Sequence, residues 1–424
     1  MKTIGPTGHA TRHTTGQTPG RTTGQTPGRT TGQTPGRTTG QTVRHSTGHA
    51  TLSPDEIASA LRLRDLTDPA AGPHALQLLL DDAVCALADR WGSTVRVRRP
   101  GPLVPVEDNY DRLGYDGASV TRDSRYSRYA GDTVMLRSHT SAGIPPALRE
   151  LARDPAPPSD TLLVLPGLVH RRDVVDRLHV GTPHQVDLWR LVRGHRTTPR
   201  DLRGMVESLV AAVLPGARWR TTPTAHPYTS GGLQVDVATG DGWVEVAECG
   251  LAAGHVLAAA GLDPARWSGL ALGMGLDRAL VLRKDLPDIR LLRASDPRIA
   301  GQMLDLAPWR PVSTMPPVRR DLSLVLDPPV DPELLGDAAR QALGPDAEVL
   351  EDLSVRAVTP HDRLPRHARE RLRIRPGQVN VLLRVVLRAL DRTLTDDEAN
   401  SLRDRLYGAL HRGPVMEWVT PPGA

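Results

Sequence analysis

The sequence predicts an α+β protein in which an antiparallel sheet carries helices on its faces. Three observations predict this fold: apolar runs that break at Gly and Pro, segments in which apolar and polar residues alternate, and longer segments with an apolar stripe at helical spacing. At 424 residues the chain is long enough for two or three domains. No apolar run approaches the length needed to cross a membrane, so no membrane contact is expected.

The first 50 residues form a basic tail built from an eight-residue repeat. TTGQTPGR begins at Thr14 and degrades at Val43. Such a composition offers no large apolar side chains for a core, so the tail is predicted to be disordered. The chain has a net charge of +5, and the tail holds basic residues without any acid, so the remainder is close to neutral. Weak attraction to RNA phosphate and a repeat without consequence are both open interpretations.

Helix signals follow the tail. Ser53 and Glu56 form a capping box, which predicts a helix that begins at Pro54. An apolar stripe predicts a second helix from about Pro73 to Trp91, followed by a strand. A further helix is predicted over residues 199–214, and alternation predicts strands near residues 233–237 and 243–246.

A strand, a loop and a returning strand are predicted between Thr161 and Leu188, with a break at Pro166-Gly167. Alternation would place Arg171 and Asp173, and then Gln185 and Asp187, on one side of two neighbouring strands. Four polar residues on one sheet face are more often a solvated surface than a site. Whether these four residues form a site therefore has to be judged from other stretches of the sequence.

Four stretches in one order resemble the catalytic core of phenylalanyl-tRNA synthetases. They are RSHTS (137–141), VHRRDVVD (169–176), PHQ (183–185) and GMGLDR (273–278). The second and the last resemble motifs 2 and 3 of class II aminoacyl-tRNA synthetases. With a further match over residues 287–296, the resemblance spans roughly residues 73–419.

The resemblance implies an enzyme that activates phenylalanine with ATP and Mg²⁺ and transfers it to tRNA(Phe). It implies that Arg171 and Arg278 are the catalytic residues, because two anions must approach each other and a guanidinium keeps its charge. The implied ATP-binding residues also include Asp173, His179 and Glu245, and Glu245 is the implied metal ligand. The implied amino-acid-binding residues are His139, Ser141, Gln185, Asp187, His226, Tyr228 and Ala271.

The resemblance also implies a domain order: the tail at 1–50, a catalytic core at 51–303 and a ferredoxin-fold anticodon-binding domain at 304–424. The last helix of that domain is predicted to begin with a capping box of Thr395 and Glu398. A core fused to this domain resembles the single-chain organellar form, which implies a monomer without a β subunit. The residues expected to contact tRNA are Arg319, Arg320, Arg384 and Arg388, and a salt-bridged structural role is equally open for each.

Several positions depart from the family pattern. Pro183 stands where the family has an adenine-stacking Phe, and His226-Pro227-Tyr228 stands for its FPF. Ser230 and Gln234 replace two acids. Three functions therefore remain open: an active ligase, including a stress or resistance paralogue; a paralogue that activates another amino acid for biosynthesis; and a catalytically weak tRNA-binding or regulatory protein.

Composition adds two expectations. The only cysteines, Cys85 and Cys249, lie far apart, which predicts a reducing, cytoplasmic location. The chain contains no Phe, although Trp and Tyr are present. We hypothesise selection for synthesis when Phe-tRNA is scarce, with drift and codon bias as the alternative. Chain synthesis that falls in step with average proteins under phenylalanine starvation would contradict the hypothesis.

Overall fold

The computed structural model describes residues 51–123, 126–312 and 315–416, which belong to one compact unit. The predictions for the repeat tail concern residues outside this described part. None of the helices in the described part combines the length and the apolarity needed to cross a bilayer.

Two helices begin where capping boxes predict them. The capping boxes of Ser53 and Thr395 are both present, and the helix predicted from Pro73 begins at Ala75 with His74 as its cap. The helices are α1 Pro54–Leu61, α2 Ala75–Trp91, α3 Val106–Asn109, α4 Ile144–Arg153, α5 Pro199–Val213, α6 Gly254–Ala259, α7 Leu276–Lys284, α8 Pro297–Ala300, α9 Pro332–Leu343, α10 Arg366–Leu372 and α11 Asp396–Leu410.

The strands form one large and two small sheets. They are β1 Thr94–Val97, β2 Leu103–Pro105, β3 Arg128–Tyr129, β4 Val134–Leu136, β5 Asp160–Leu168, β6 His184–Arg193, β7 Trp219–Pro223, β8 Thr229–Thr239, β9 Gly242–Ala252, β10 Trp267–Gly275, β11 Val318–Leu326, β12 Leu350–Pro360 and β13 Val379–Leu387.

The large sheet has the strand order β1-β5-β6-β10-β9-β8-β7. Every neighbouring pair is antiparallel except β1 and β5. Helices α2, α5 and α7 cover one face through a core that includes Leu79, Leu209 and Leu280. Helices α4 and α6 bury a second cluster around Trp189 on the other face. The α+β prediction of an antiparallel sheet flanked by helices is confirmed.

Strand β5 continues through the predicted break at Pro166-Gly167, so that expectation was wrong. Strand β1 pairs with β5 only as far as Val164. Pro166 therefore lies past the end of β1, where its missing N–H takes no hydrogen bond away from that pairing. Gly167 has φ 139°, and a Cβ there would lie 2.2 Å from Arg137 Nη2. The glycine therefore leaves room for a buried arginine that donates from Nε to Leu168 O at 2.7 Å.

The C-terminal part builds its own core. Strands β11, β13 and β12 form an antiparallel sheet, and α9 and α11 pack on it around residues such as Leu324, Val381 and Leu406. The order β-α-β-β-α, with a short α10 before β13, is that of a ferredoxin-like unit up to its last strand. The ferredoxin-fold assignment of residues 304–424 and the boundary at residue 303 stay predictions.

Candidate active site

A cavity of about 830 Å³ opens beside β6, β9 and β10 and is also lined by the first residues of α9. Every residue predicted to bind ATP or the amino acid lines this cavity, apart from Ala271. Ala271 is buried in the apolar cluster that contains Trp189, against which Tyr228 packs. Residues from separate segments of the chain thus meet around one space of a size that suits a small-molecule site.

Arg171 and Asp173 lie in the 169–183 loop that joins β5 to β6, and not within a strand as the alternation predicted. The main chain continues the ladder for a short distance, because Arg171 N donates to Gly181 O at 3.2 Å. Arg171 Nε lies 3.3 Å from Asp173 Oδ2, and the Arg171 side chain is 39% exposed. The guanidinium is therefore held at the cavity wall and still open to a ligand.

Arg278, in the first turn of α7, is positioned by two contacts. Its Nη1 donates to Glu245 O at 2.8 Å, and its Nη2 lies 2.8 Å from His179 Nε2. His179 Nδ1 lies 2.7 Å from Asp176 Oδ1. Since a guanidinium only donates, Nε2 must accept and the imidazole proton resides on Nδ1, facing Asp176. Burial opposes ionisation of Asp176, but the bonds from His179 and the Leu178 N–H hold its pKa below the ordinary value.

Two carboxylates, Glu245 and Glu248, face the cavity from β9. Residues three apart face opposite sides of a regular strand, but a register shift between Val235 and Asp236 of β8 leaves Val246 as an extra residue in β9. Partial burial, followed by the charge of Glu248, raises the pKa of Glu245. In the described part, no group of three or more His, Cys, Asp or Glu residues is arranged to hold a metal.

The 169–183 loop is also held by the C-terminal part. Arg340 of α9 donates to Asp173 O at 2.7 Å and to Val174 O at 2.5 Å. Leu353 N of β12 donates to Val175 O at 3.0 Å, and Val175 is buried in the C-terminal core. These contacts between distant segments had no signal in the sequence that would have predicted them.

Asp187 on β6 is fully enclosed and organises one wall of the cavity. Its Oδ2 accepts from Thr140 Oγ1 at 2.6 Å and from Ser141 Oγ at 3.1 Å, and its Oδ1 accepts from Trp189 Nε1 at 3.0 Å. Burial raises the pKa of Asp187 although these donors favour the carboxylate. Asp187 therefore chiefly orients the side chains of Thr140, Ser141 and Trp189.

His139 and Gln185 offer hydrogen-bonding groups to the cavity. Neither ring nitrogen of His139 has a hydrogen-bond partner in the structure. Burial, with the charge of Arg171, lowers the pKa of His139 to about 4, so its ring is neutral. Gln185 lies opposite Gly275 at the junction of β6 and β10.

Four ring side chains line the part of the cavity that we call the ring end: Tyr115, His139, His226 and Tyr228. The Tyr115 and His139 rings stack with centroids 5.8 Å apart, and those of His226 and Tyr228 with centroids 5.3 Å apart. Tyr115 comes from a loop with no periodicity, and the sequence analysis missed it. Arg171, His179 and Arg278 line the part that we call the phosphate end.

A buried pair beneath the site, also missed from sequence, joins the two arginine-bearing segments. His184 Nδ1 lies 2.7 Å from Asp277 Oδ1, and His184 N donates to Asp277 Oδ2 at 3.1 Å. Burial opposes ionisation of Asp277, but His184 holds its pKa below the ordinary value. This pair fixes the start of β6 against the start of α7, and so supports the placement of Arg278.

The residues that depart from the family pattern lie either in the cavity lining or on β8. Pro183 lines the cavity, so its position offers no π face to a bound base. Gln234 and Ser230 lie on β8 and are absent from the cavity lining. Gln234 Nε2 donates to Asp236 Oδ1 at 2.7 Å.

Three of the four arginines predicted to contact tRNA form ion pairs within the C-terminal part. Arg320 pairs with Asp396, Arg384 with Asp321, and Arg388 with Glu351. The side chain of Arg319 is exposed. The geometry of the three pairs is that of the salt-bridged alternative, and tRNA contact stays a prediction for all four.

Comparison with known proteins gives one consistent family. Residues 100–303 match the family model described as tRNA synthetases class II core domain (F). A phenylalanine–tRNA ligase alpha subunit of Prochlorococcus marinus is 36% identical over 240 residues, which cover 56% of this chain and 69% of the relative. One from Leifsonia xyli is 33% identical over 265 residues, covering 55% and 74%. One from Leptospira biflexa is 34% identical over 216 residues, covering 48% of this chain and 61% of that relative, which is less than two thirds of its length.

Proposed function

The chain belongs to the family of phenylalanine–tRNA ligase alpha subunits, with a class II synthetase core, and we propose that it activates phenylalanine with ATP and transfers it to tRNA(Phe). The observation that carries the proposal is that Arg171 and Arg278, from distant parts of the chain, line one cavity.

The first chemical step requires cations. A carboxylate oxygen of phenylalanine attacks the α-phosphorus of ATP, and the bond from phosphorus to pyrophosphate breaks. Both reactants are anions, so fixed positive charge lowers the barrier. Arg171 would pair with the α-phosphate, and Arg278, steadied by His179 and Asp176, would pair with the γ-phosphate. Asp173, beside Arg171, would help to place the adenine.

The amino acid would occupy the other end of the cavity. Ser141, Gln185 and the unpartnered nitrogens of His139 would hold its ammonium and carboxylate, and Asp187 would orient Ser141. His226 and Tyr228 would contact the substrate ring. Ala271 would limit the depth of the pocket through the cluster that it shares with Trp189.

The site also fits Mg²⁺ that arrives with ATP. Burial and a like charge raise the pKa of Glu245, and a cation would relieve both effects. Mg²⁺ usually takes only one or two protein carboxylates together with substrate phosphates. Glu245, with Glu248 next to it, would hold the ion, which would neutralise phosphate charge.

The second step joins the acyl group to tRNA. A hydroxyl of the terminal ribose attacks the acyl carbonyl, the bond to the adenylate phosphate breaks, and AMP leaves. We assign no protein base to this step. The same proposal includes contact with tRNA through the C-terminal part and action as a monomer without a β subunit. It also includes a cytoplasmic location for the chain, whose two cysteines are free.

A second candidate, activation of another amino acid, is favoured by one observation: an ion pair of His226 and Glu248 at the ring end. ATP–pyrophosphate exchange with each amino acid separates the candidates. Exchange with phenylalanine, together with charging of tRNA by the purified chain alone, is the expected result. Exchange with a different acid only would support the second candidate, and tRNA binding without any exchange would overturn both. Light scattering on the same preparation tests the monomer.

A further inference from the structure

Positive charge is concentrated in the connection between β12 and β13, residues 361–377, which we call the arginine segment. It holds six arginines against two acids, and α10 occupies its middle. Arg366 pairs with Glu370. Within the described part of the chain, four of the six make no ion pair: Arg363, Arg369, Arg373 and Arg375. Of these four, Arg369 is half-buried and the other three are exposed.

The arginine segment is anchored by its other residues. Leu372 and Ile374 are buried against β11 in a small apolar cluster. Gln378 ties the two ends of the segment together, because its O accepts from His361 N at 3.2 Å and its Oε1 accepts from Arg375 N at 3.1 Å. The apolar side chains thus face inward, and a fixed base presents the unpaired arginines to solvent.

Arg373 adopts a backbone conformation that is uncommon for an arginine. It follows the last residue of α10 with φ 45°, in the left-handed region that Gly or Asn usually takes at the end of a helix. A β-carbon makes this conformation unfavourable. A charged side chain at a position that glycine would fit with less strain indicates a role for the side chain.

These features suit a polyanion. A guanidinium keeps its charge and pairs two oxygens of a phosphate, and clustered unpaired arginines are typical of a surface that binds nucleic acid. The arginines that the resemblance assigns to tRNA fit less well, because three of those four already pair with carboxylates. The large apolar side chains of the arginine segment are buried or half-buried, so it offers little to the core of a protein interface or to a membrane.

We propose that the arginine segment binds the phosphate backbone of tRNA through Arg363, Arg369, Arg373 and Arg375. Phosphate contacts carry no sequence information directly, so the segment supplies affinity for any tRNA and does not choose among tRNAs. This inference rests on the proposed function, which makes tRNA a substrate and assigns its contact to the C-terminal part.

The experiment measures binding of tRNA(Phe) and of a second tRNA to the full chain over a range of KCl concentrations. A variant with R363Q, R369Q, R373Q and R375Q should lower the slope of log Kd against log salt by about 3, and weaken binding about 10²-fold near 0.1 M salt, equally for both tRNAs. Charging should be slowed through KM for tRNA. Pyrophosphate exchange with phenylalanine should be unchanged, because the first step involves no tRNA.

The matched control removes the same charge elsewhere. R62Q, R153Q, R200Q and R203Q together change four exposed arginines of the catalytic part that make no ion pair with described residues. This control should leave the salt slope close to that of wild type. The basic tail is present in every variant, so its contribution to binding cancels in the comparison. Lysine at the four positions of the arginine segment should restore most of the slope, since charge is retained.

Arg373→Gly separates binding from a structural role. Glycine relieves the left-handed strain, so thermal stability should not fall, whereas loss of one phosphate contact should weaken tRNA binding about threefold to fivefold near 0.1 M salt. A lower unfolding temperature with unchanged tRNA binding would show that Arg373 serves the fold.

The outcomes separate this inference from the proposed function. Normal charging with equal salt slopes in wild type and the fourfold glutamine variant, or equal losses in that variant and the control, overturns the RNA surface alone. No exchange with any amino acid, but a slope that the glutamine changes lower, removes the ligase and retains the surface. Binding to phosphatidylserine vesicles without binding to tRNA replaces RNA by a membrane and overturns the inference. Absence of exchange and of tRNA binding overturns both.

Discussion

The two ends of the cavity are built in different ways. At the phosphate end, Arg278 is held by His179 and Glu245 O from other segments, and the 169–183 loop that carries Arg171 is held by Arg340. At the ring end, the wall consists of stacked rings, and the ion pair of His226 and Glu248 stands among them. The phosphate end carries the positive charges that the proposed chemistry requires, and the departures from the family pattern at His226 and Tyr228 lie at the ring end.

This difference follows from what each end must do. Charge stabilisation in a transition state depends on preorganised groups, so small displacements there are costly. Recognition of an apolar ring depends on contacts that contribute less individually, so substitutions there change selectivity before they abolish reaction. Variants at the phosphate end should therefore affect every substrate, whereas variants at the ring end should affect the choice among amino acids.

The largest effect is expected for Arg278→Ala. Loss of a fixed guanidinium at the phosphate end should lower kcat for pyrophosphate exchange about 10²- to 10³-fold, with every amino acid alike. Arg366→Ala is the control, because that side chain is 87% exposed and pairs only with Glu370 among the described contacts. A loss confined to one amino acid would contradict the division of the cavity.

Arg340→Ala tests whether the C-terminal part supports the phosphate end. Two hydrogen bonds from a cation to Asp173 O and Val174 O are lost, and bonds of this kind contribute about 1.5–3 kcal/mol each. We expect KM for ATP to rise roughly tenfold, with KM for phenylalanine nearly unchanged. Arg405→Ala is the matched control, since Arg405 donates to Ala342 O and Leu343 O inside the C-terminal part. Equal effects of the two changes would refute a link to ATP.

Asp176→Asn should have a smaller effect at the same end. The substitution weakens the bond that orients His179, and through it Arg278, by about 1 kcal/mol, so KM for ATP should rise about threefold to tenfold. Asp176 is a positioning residue, and the KM for phenylalanine should not follow. The control is Asp241→Asn, which breaks the exposed pair with Arg177 and should change neither constant.

Tyr228→Phe should produce the smallest change, and only at the ring end. It removes a phenol that interacts with Ser141 and Tyr115, and makes the wall more like the substrate ring. We expect KM for phenylalanine to fall about twofold to fivefold, roughly 0.5–1 kcal/mol, with KM for ATP constant. Tyr129→Phe, which removes a buried hydroxyl that donates to Arg122 O outside the cavity, is the control. A tenfold rise in KM for ATP would show that the two ends are not separable.

Local patterns were sufficient to predict several of the helices and strands. The capping boxes at Ser53 and Thr395, the apolar stripe of α2 and helix α5 depend on residues within a few positions of one another. Local reasoning was wrong at Pro166, where the strand continues because the neighbouring strand has ended. A missing N–H breaks a strand only where a neighbouring strand would accept its hydrogen bond, and a local sequence pattern does not show where the neighbouring strand ends.

For the candidate site, too, the local sequence and the tertiary structure account for different features. The sequence by itself determined which groups are available, because a guanidinium, a carboxylate or an imidazole carries its chemistry wherever it lies. Only the tertiary structure decided which of them meet: Arg278 with His179, Arg340 with the 169–183 loop, and Glu248 with His226 across a β-bulge. The physical reason is that these contacts join residues from about 20 to more than 160 positions apart, and their geometry is fixed by the packing of whole sheets and helices rather than by any periodic pattern along the chain.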